Sequence, residues 1–343
     1  WGELVKELVP CAEKVRFQSS GTEATMMAFR MARSYTRKEK IIKFQKHYHG
    51  WHDYVMPGNL SPFDVPASTG VPQGAVDSVI VLPPDLDALE RTLASRNDIA
   101  GVITEGSGAS YGTVPLAEGF VKGVRDLTQK YGVVMILDEV ITGFRWSRGG
   151  LQELLGIEPD LSTLAKILTG GLPGGAVAGR EHIMAVMEQT GDAYHDRFER
   201  VYHGGTFNAN PYCAATGVAA LNIVRTGEMQ LKADAMAERL RTGLRNIVDK
   251  YEVNACVYGE SSTFHIYFGA KSIDGLDARS LKSAPPEVQT NFRQGLQVRG
   301  VDLMSRTSGV LSGVHTEADI DKSLEAFDGT ITAMMDEGLI SHQ

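Results

Sequence analysis

The chain has 343 residues, enough at about 150 residues per domain for two domains or one large α/β unit, and enough to bury a sizeable core. Hydrophobic residues make up 43% and charged residues 22%, close to the globular average, which argues against disordered, collagen-like and coiled-coil classes. With 34 Lys and Arg against 42 Asp and Glu the net charge is −8, a surface that repels a nucleic-acid backbone but leaves room for a local pocket holding one phosphate.

The chain opens inside an apolar, helix-like pattern (Trp1, Leu4, Val5, Leu8, Val9), with Trp1 in place of an initiator Met, so residues are expected to be missing in front. Short β-rich runs then alternate with helical patterns, the signature of βαβ units and a largely parallel sheet. Strands are predicted over 15–18, 41–44, 78–82, 99–104 and 133–137, the last two continuous apolar runs buried on both faces. Helices are predicted over about 22–37, from about 86, and over about 119–130, with Ala24, Met27, Ala28, Met31 and Tyr35 on one face of the first. A Gly/Pro-rich loop spans about 57–74. After Ala165 come a Gly-rich turn, 169–175, a short strand, 176–178, and a helix-rich stretch over about 211–250. Strands at 253–258 and 263–268 with helices at about 286–299 and 317–335 form a separate small α+β domain. The predicted division is 1–250 and 251–343, without repeats or low-complexity tracts.

Cys11, Cys213 and Cys256, an odd number with no C-x-x-C, supply neither a disulfide framework nor a zinc site, and point to a reducing, cytoplasmic compartment. No run approaches the roughly 18 apolar residues of a membrane helix, and no signal peptide is legible. No membrane or nucleic-acid partner is expected.

Four stretches carry candidate chemistry. In Gln18-Ser-Ser-Gly-Thr-Glu23, Ser20 and Glu23 have capping-box spacing and Gly21 admits a close approach; the helix start suits a phosphate, or is a capped helix with no ligand. The strand ending at Asp138 and Glu139 delivers carboxylates to the edge where open α/β sheets bind ligands; Asp138 there meets a cation, binds a metal or caps a helix. Lys166 ends an apolar stretch before the Gly-rich turn; it is either a desolvated amine able to add to a carbonyl or a snorkelling surface residue. His47-Tyr48-His49-Gly50 offers an aromatic ring to a planar ligand, and a metal is the weaker reading because no acid or cysteine accompanies the histidines at useful spacing. Gly106-Ser-Gly108 imitates a dinucleotide fingerprint, but the third glycine is out of register.

Together these stretches resemble the class III aminotransferases, fold-type I pyridoxal-phosphate enzymes, and within them the branch of glutamate-1-semialdehyde aminomutase and its transaminase relatives. The matching segments are Val15 to Ala24, Tyr48 to Gly50, Leu137 to Arg145, Pro159 through Lys166 to Gly175, Gly205 to Asn208 and His315 to Asp319. The resemblance implies a three-layer α/β/α large domain with a mostly parallel sheet plus the small C-terminal domain. It implies pyridoxal 5'-phosphate held through a Schiff base on Lys166, with Asp138 on the ring nitrogen and Ser20, Gly21 and Thr22 on the phosphate. Tyr48 would stack on one ring face and Val140 pack on the other, with His49 also among the cofactor residues. Thr206 would reach the phosphate of a neighbouring subunit, which makes a homodimer with shared active sites.

The chain departs from the family at Thr104-Glu105-Gly106, where Val-Glu-Pro is usual, and at Gly174, where Val is usual. The family's N-terminal segment, which helps to line the substrate pocket, is not in this chain. Arg145, Arg148 and Arg306 are candidates for a substrate carboxylate, with Arg306 preferred; the alternative is that all three are surface or interface arginines. The leading expectation is a transaminase passing an amino group between an amino acid or amine and a keto acid or aldehyde. The alternatives are the aminomutase, which moves the group within one molecule, and a cofactor-binding protein without catalysis. Arg145-Trp-Ser-Arg148, where more apolar residues are expected in the aminomutase, favours the transaminase.

Overall fold

The continuous apolar runs become the middle of a seven-stranded sheet in a computed structural model that describes residues 1–276, 281 and 285–340. The strands are β1 (Lys14–Gln18), β2 (Lys40–Phe44), β3 (Val79–Leu82), β4 (Ile99–Glu105), β5 (Val134–Asp138), β6 (Leu161–Ala165) and β7 (Gly175–Gly179). Their order is β1-β7-β6-β5-β4-β2-β3, and only β7 runs against its neighbours. Helices of seven or more residues in this unit are α1 (Gly2–Leu8), α2 (Gly21–Thr36), α3 (Leu86–Ser95), α4 (Phe120–Tyr131) and α5 (Pro211–Val224).

Side chains alternate across the pleat, so each strand feeds two cores. Ile41, Ile103, Val134 and Ile136 pack under α2 with Ala24, Met27, Ala28 and Met31. Ile42, Phe44, Val102, Met135 and Leu137 meet Leu89 and Leu93 of α3 and Phe120, Val121 and Val124 of α4. These are the three layers expected, and each fully buried Leu, Ile or Phe contributes about 1.5–3 kcal/mol of transfer free energy. Tyr35 departs from the predicted apolar face of α2: it is 44% exposed and lies edge-on to His182.

A second unit comprises residues 112–114 and the chain from Gly227 onward. It holds α6 (Glu228–Lys250), β8 (Ala255–Tyr258), β9 (Thr263–Phe268), α7 (Pro286–Gln297), β10 (Ser308–Val310) and α8 (Glu317–Asp336), with an antiparallel sheet ordered β10-β9-β8. The division thus falls at Gly227 rather than near residue 250. Leu240, Leu244, Ile247 and Val248 of α6 pack with Phe264, Ile266, Phe292 and Phe327, so the helix shares the core of the small sheet. Two strands were not foreseen. β6 carries Ser162 and Thr163 among its buried residues and shows no alternation, and β10 has three residues.

Candidate active site

The C-terminal ends of β4, β5 and β6, the start of α2 and the loop after β2 enclose a cavity of about 570 Å³, lined by residues of the first unit. Ser20, extended at φ −160, caps α2 by accepting the Glu23 N–H at 3.3 Å. Glu23 reaches back to the N–H of Ser19 (2.8 Å), one residue earlier than the capping-box pattern implies. The first N–H groups of the helix have no acceptor within it, and they point with the positive end of the helix dipole. Ser20, Gly21 and Thr22 all line the cavity. A Cβ on Gly21 would sit 3.2 Å from Val140 Cγ1 and 3.3 Å from the Ala165 methyl, so the bare backbone lets α2 start against the strand ends. Gly50, at φ +103, packs directly on Thr22, whose hydroxyl accepts the Trp51 N–H at 3.0 Å.

Asp138 is aligned with Glu105 of β4 and Thr163 of β6. Its carboxylate accepts from His49 Nδ1 at 2.6 Å, the Val140 N–H at 3.0 Å and Thr163 Oγ1 at 3.1 Å. Three donors occupy three of about four acceptor positions and leave one for the cavity that Asp138 lines. Burial pushes the His49 ring below its ordinary range, against the pull of Asp138, and facing a carboxylate Nδ1 is the donor of the pair. His49 Nε2 is buried without a partner among the described residues.

Lys166 follows β6 at the start of a 3₁₀ turn and has a left-handed backbone, φ 54. Its side chain lines the cavity and remains exposed, with the cavity walls shielding the amine in part. That desolvation lowers its pKa, the Arg145 charge adds to the fall, and Asp138 and Glu105 oppose it. Tyr48, His49 and Val140 also line the cavity. His47 accepts the backbone N–H of Glu105 at its Nδ1, and His49 pairs with the carboxylate of Asp138, so each histidine that raised the metal reading has a ring nitrogen engaged within the chain.

Thr206 is exposed in the loop before α5 and does not line the cavity. Arg306 is exposed in the second unit, donating to Gln289 Oε1 at 3.2 Å. Arg148 is exposed and paired with Glu153, and Trp146 is buried. Arg145 donates from Nε to the Ile141 carbonyl at 3.0 Å. Glu105, Ser107, Trp51 and Thr163 were not singled out from the sequence as site residues. A carboxylate ending the strand next to Asp138 was the signal available for Glu105. At Gly106, in place of the usual proline, Leu151 packs where a side chain would start.

An amine, a carboxylate and a helix N-terminus with two hydroxyls in one cavity of this size are the donor set that a phosphate-bearing pyridine aldehyde requires. The family model for aminotransferase class-III matches residues 1–265, and the chain belongs to this family. It is a pyridoxal-phosphate-dependent enzyme of amino-group transfer. The glutamate-1-semialdehyde 2,1-aminomutase of Thermodesulfovibrio yellowstonii is 36% identical over 94% of this chain and 75% of its own length. An omega-transaminase from Sphaerobacter thermophilus is 33% identical, with a TM-score of 0.87 over 96% of this chain and 76% of that one. A transaminase solved with pyridoxal phosphate bound is 28% identical, with a TM-score of 0.84 over 98% and 77%.

Proposed function

We propose that the chain is a two-substrate transaminase, taking the amino group of an amino acid or amine and passing it to a keto acid or aldehyde. The observation that carries the reading is the convergence of Lys166, Asp138 and the start of α2 on one cavity. When bound, pyridoxal phosphate supplies an aldehyde that takes up the amino group and a ring that accepts electrons from the substrate Cα. Ser20, Gly21 and Thr22 bind the phosphate with backbone N–H groups and hydroxyls, while Tyr48 and Val140 pack on the two ring faces. Asp138, held by His49, Val140 and Thr163, keeps a proton on the ring nitrogen. Lys166 would hold the cofactor through its amine, and the same amine would move the proton at the substrate Cα, a task that its lowered pKa suits. His49 acts through Asp138 rather than on the cofactor.

Thr206, exposed on its loop, serves the phosphate of a neighbouring copy, which makes the enzyme a homodimer with shared sites. A cytoplasmic setting fits three free cysteines, and none of the helices among the described residues is long and apolar enough to cross a membrane. Arg306 is retained as the arginine for a substrate carboxylate. The second reading is an aminomutase, favoured by the 36% identity to the Thermodesulfovibrio enzyme.

The test is to load the protein with pyridoxal phosphate, add single amines, and follow loss of the visible band, then add keto acids one by one. Band loss with a donor and recovery with a separate acceptor supports the transaminase. Conversion of glutamate-1-semialdehyde without any second substrate establishes the aminomutase instead. Lys166→Ala abolishes either activity while the cofactor still binds non-covalently, and near-normal turnover in that variant would refute the scheme.

A further inference from the structure

Glu105 ends β4 beside Asp138, is buried, and lines the cavity next to Tyr48 and Ser107. Its carboxylate collects three backbone N–H groups: Tyr48 at 2.6 Å and Ser110 at 3.3 Å on Oε1, and Tyr111 at 3.3 Å on Oε2. The bond from Tyr48 has the short length of a charge-assisted one. Glu105 also donates its own N–H to His47 Nδ1 at 3.0 Å, so the loop after β2 is tied to this residue by backbone and side chain together.

Ser110 and Tyr111 are successive non-glycine residues in the left-handed region, at φ 54 and φ 49. Two L residues hold that conformation in succession only where their surroundings impose it, and consecutive N–H groups turned to one side make a concave site for an anion. Here the anion belongs to the chain itself.

We propose that Glu105 is a positioning residue of the reaction: its carboxylate fixes the backbone at Tyr48 and at the Ser110–Tyr111 turn together, and so sets the shape of that side of the cofactor cavity. The role rests on the assignment of this cavity to the cofactor. Asp138 on β5, Lys166 after β6 and Lys43 on β2 are the charged groups that bear on the carboxyl, while the His47 ring engages the backbone N–H of the same residue. Burial, then the three N–H bonds and the Asp138 charge, act on its titration; burial dominates and pushes it up to about 7. Protonation turns one oxygen into an O–H donor and removes acceptor capacity from the N–H groups. The lock is therefore tight above about pH 7 and loosens below it. Since burial favours the acid form, the loosening is local and does not unfold the chain.

The experiment is hydrogen exchange on the full chain, with and without pyridoxal phosphate, at pH 6 and 8 and corrected for the intrinsic pH dependence of exchange. In the wild type, protection of peptides covering 45–50 and 107–112 falls at least fivefold from pH 8 to 6. In Glu105→Gln the protection is low at both values. Release of the cofactor, followed by the visible band, is about tenfold faster from Glu105→Gln than from the wild type at pH 8, and the difference between the two shrinks at pH 6. Wild-type protection that is flat between pH 6 and 8, or a variant with the wild-type profile, overturns the proposal. Unchanged cofactor release in Glu105→Gln also overturns it, since the lock would then not shape the cofactor site. Failure of the cofactor assignment itself looks different: no visible band forms on any variant, and the exchange of the chain without cofactor still decides whether the lock exists. If Glu105→Gln does not fold, the wild-type pH dependence decides alone.

Discussion

His49 Nδ1 lies 2.6 Å from Asp138 Oδ2, with both side chains almost wholly out of contact with solvent. The pair joins the loop after β2 to the end of β5, two elements that are 89 residues apart in sequence. A buried carboxylate with three donors has one orientation, and that orientation decides where its remaining lone pair points. The histidine of the Tyr48-His-Gly50 stretch thus supports the acid, and the contribution proposed for it is made through Asp138.

His49→Phe keeps a ring of similar bulk and removes the donor. Leaving one oxygen of Asp138 without its partner costs about 1–3 kcal/mol, so turnover is expected to fall roughly five- to 150-fold. Steady-state kinetics beside a thermal melt provide the measurement. Partial recovery in His49→Gln, whose amide can donate, supports the assignment, while a change of less than about twofold in His49→Phe removes it.

Asp138→Asn preserves shape and loses the charge proposed to hold a proton on the ring nitrogen. The rate is expected to drop by several orders of magnitude with the fold intact. A loss of less than about tenfold, which is about 1.4 kcal/mol in the barrier, would mean that the acid does not partner the ring.

Thr206→Val tests the shared site. If its hydroxyl serves the neighbour's phosphate, the variant remains a dimer by light scattering yet loses cofactor more readily than the wild type. A fully loaded and active monomer of the wild-type chain is the outcome that contradicts this arrangement.

Gly50→Ala places a methyl group against Thr22 at a backbone φ of +103, which an L side chain rarely adopts. Either the loop or the start of α2 must move, so cofactor affinity is expected to fall at least fivefold while the chain still folds. Equilibrium titration followed by the visible band measures it. Wild-type affinity would show that the Gly50 to Thr22 packing is not needed for the phosphate cradle.

Lys43 is fully buried on β2, donating to the Val55 carbonyl at 2.8 Å and to Asn59 Oδ1 at 2.7 Å. Burial pushes its pKa down to about 7 from an ordinary 10.5, against the opposing charge of Glu105. Between those values the unfolded chain binds a proton that the folded chain does not, so stability rises with pH there. The contribution is fully present above about 10.5, declines as pH falls towards 7, and is level below. The unfolding free energy of the wild type relative to Lys43→Met is therefore expected to increase from pH 7.5 to 9.5, with a limiting slope of about 1.4 kcal/mol per pH unit. Denaturant melts at the two values check it, and a flat difference would place the titration of Lys43 elsewhere.

Much of this was legible in the residues themselves. The apolar runs at 99–104 and 133–137 can satisfy their side chains only between two layers, and they became β4 and β5 at the centre of the sheet. Ser20 with Glu23 marked the start of α2 to within a residue, because capping is decided by atoms three or four positions apart. Asp138 and Lys166 stood out for the same kind of reason: each is a charged residue at the end of an apolar run, which the chain bears only where something uses the charge.

What tertiary structure decided was everything that depends on partners distant along the chain. β6 reads as a strand only because β5 and β7 flank it, since its own residues do not alternate. The helix α6 joined the second unit because its apolar stripe fits the small sheet, a complementarity that no local pattern records. Acceptor sites of Glu105 are filled by N–H groups of residues 48, 110 and 111, and donors for Asp138 come from residues 49 and 163 as well as from nearby Val140. A sequence specifies which groups carry charge; how far each charge is desolvated and which donors face it follow from the fold, and those two quantities set the chemistry of this site.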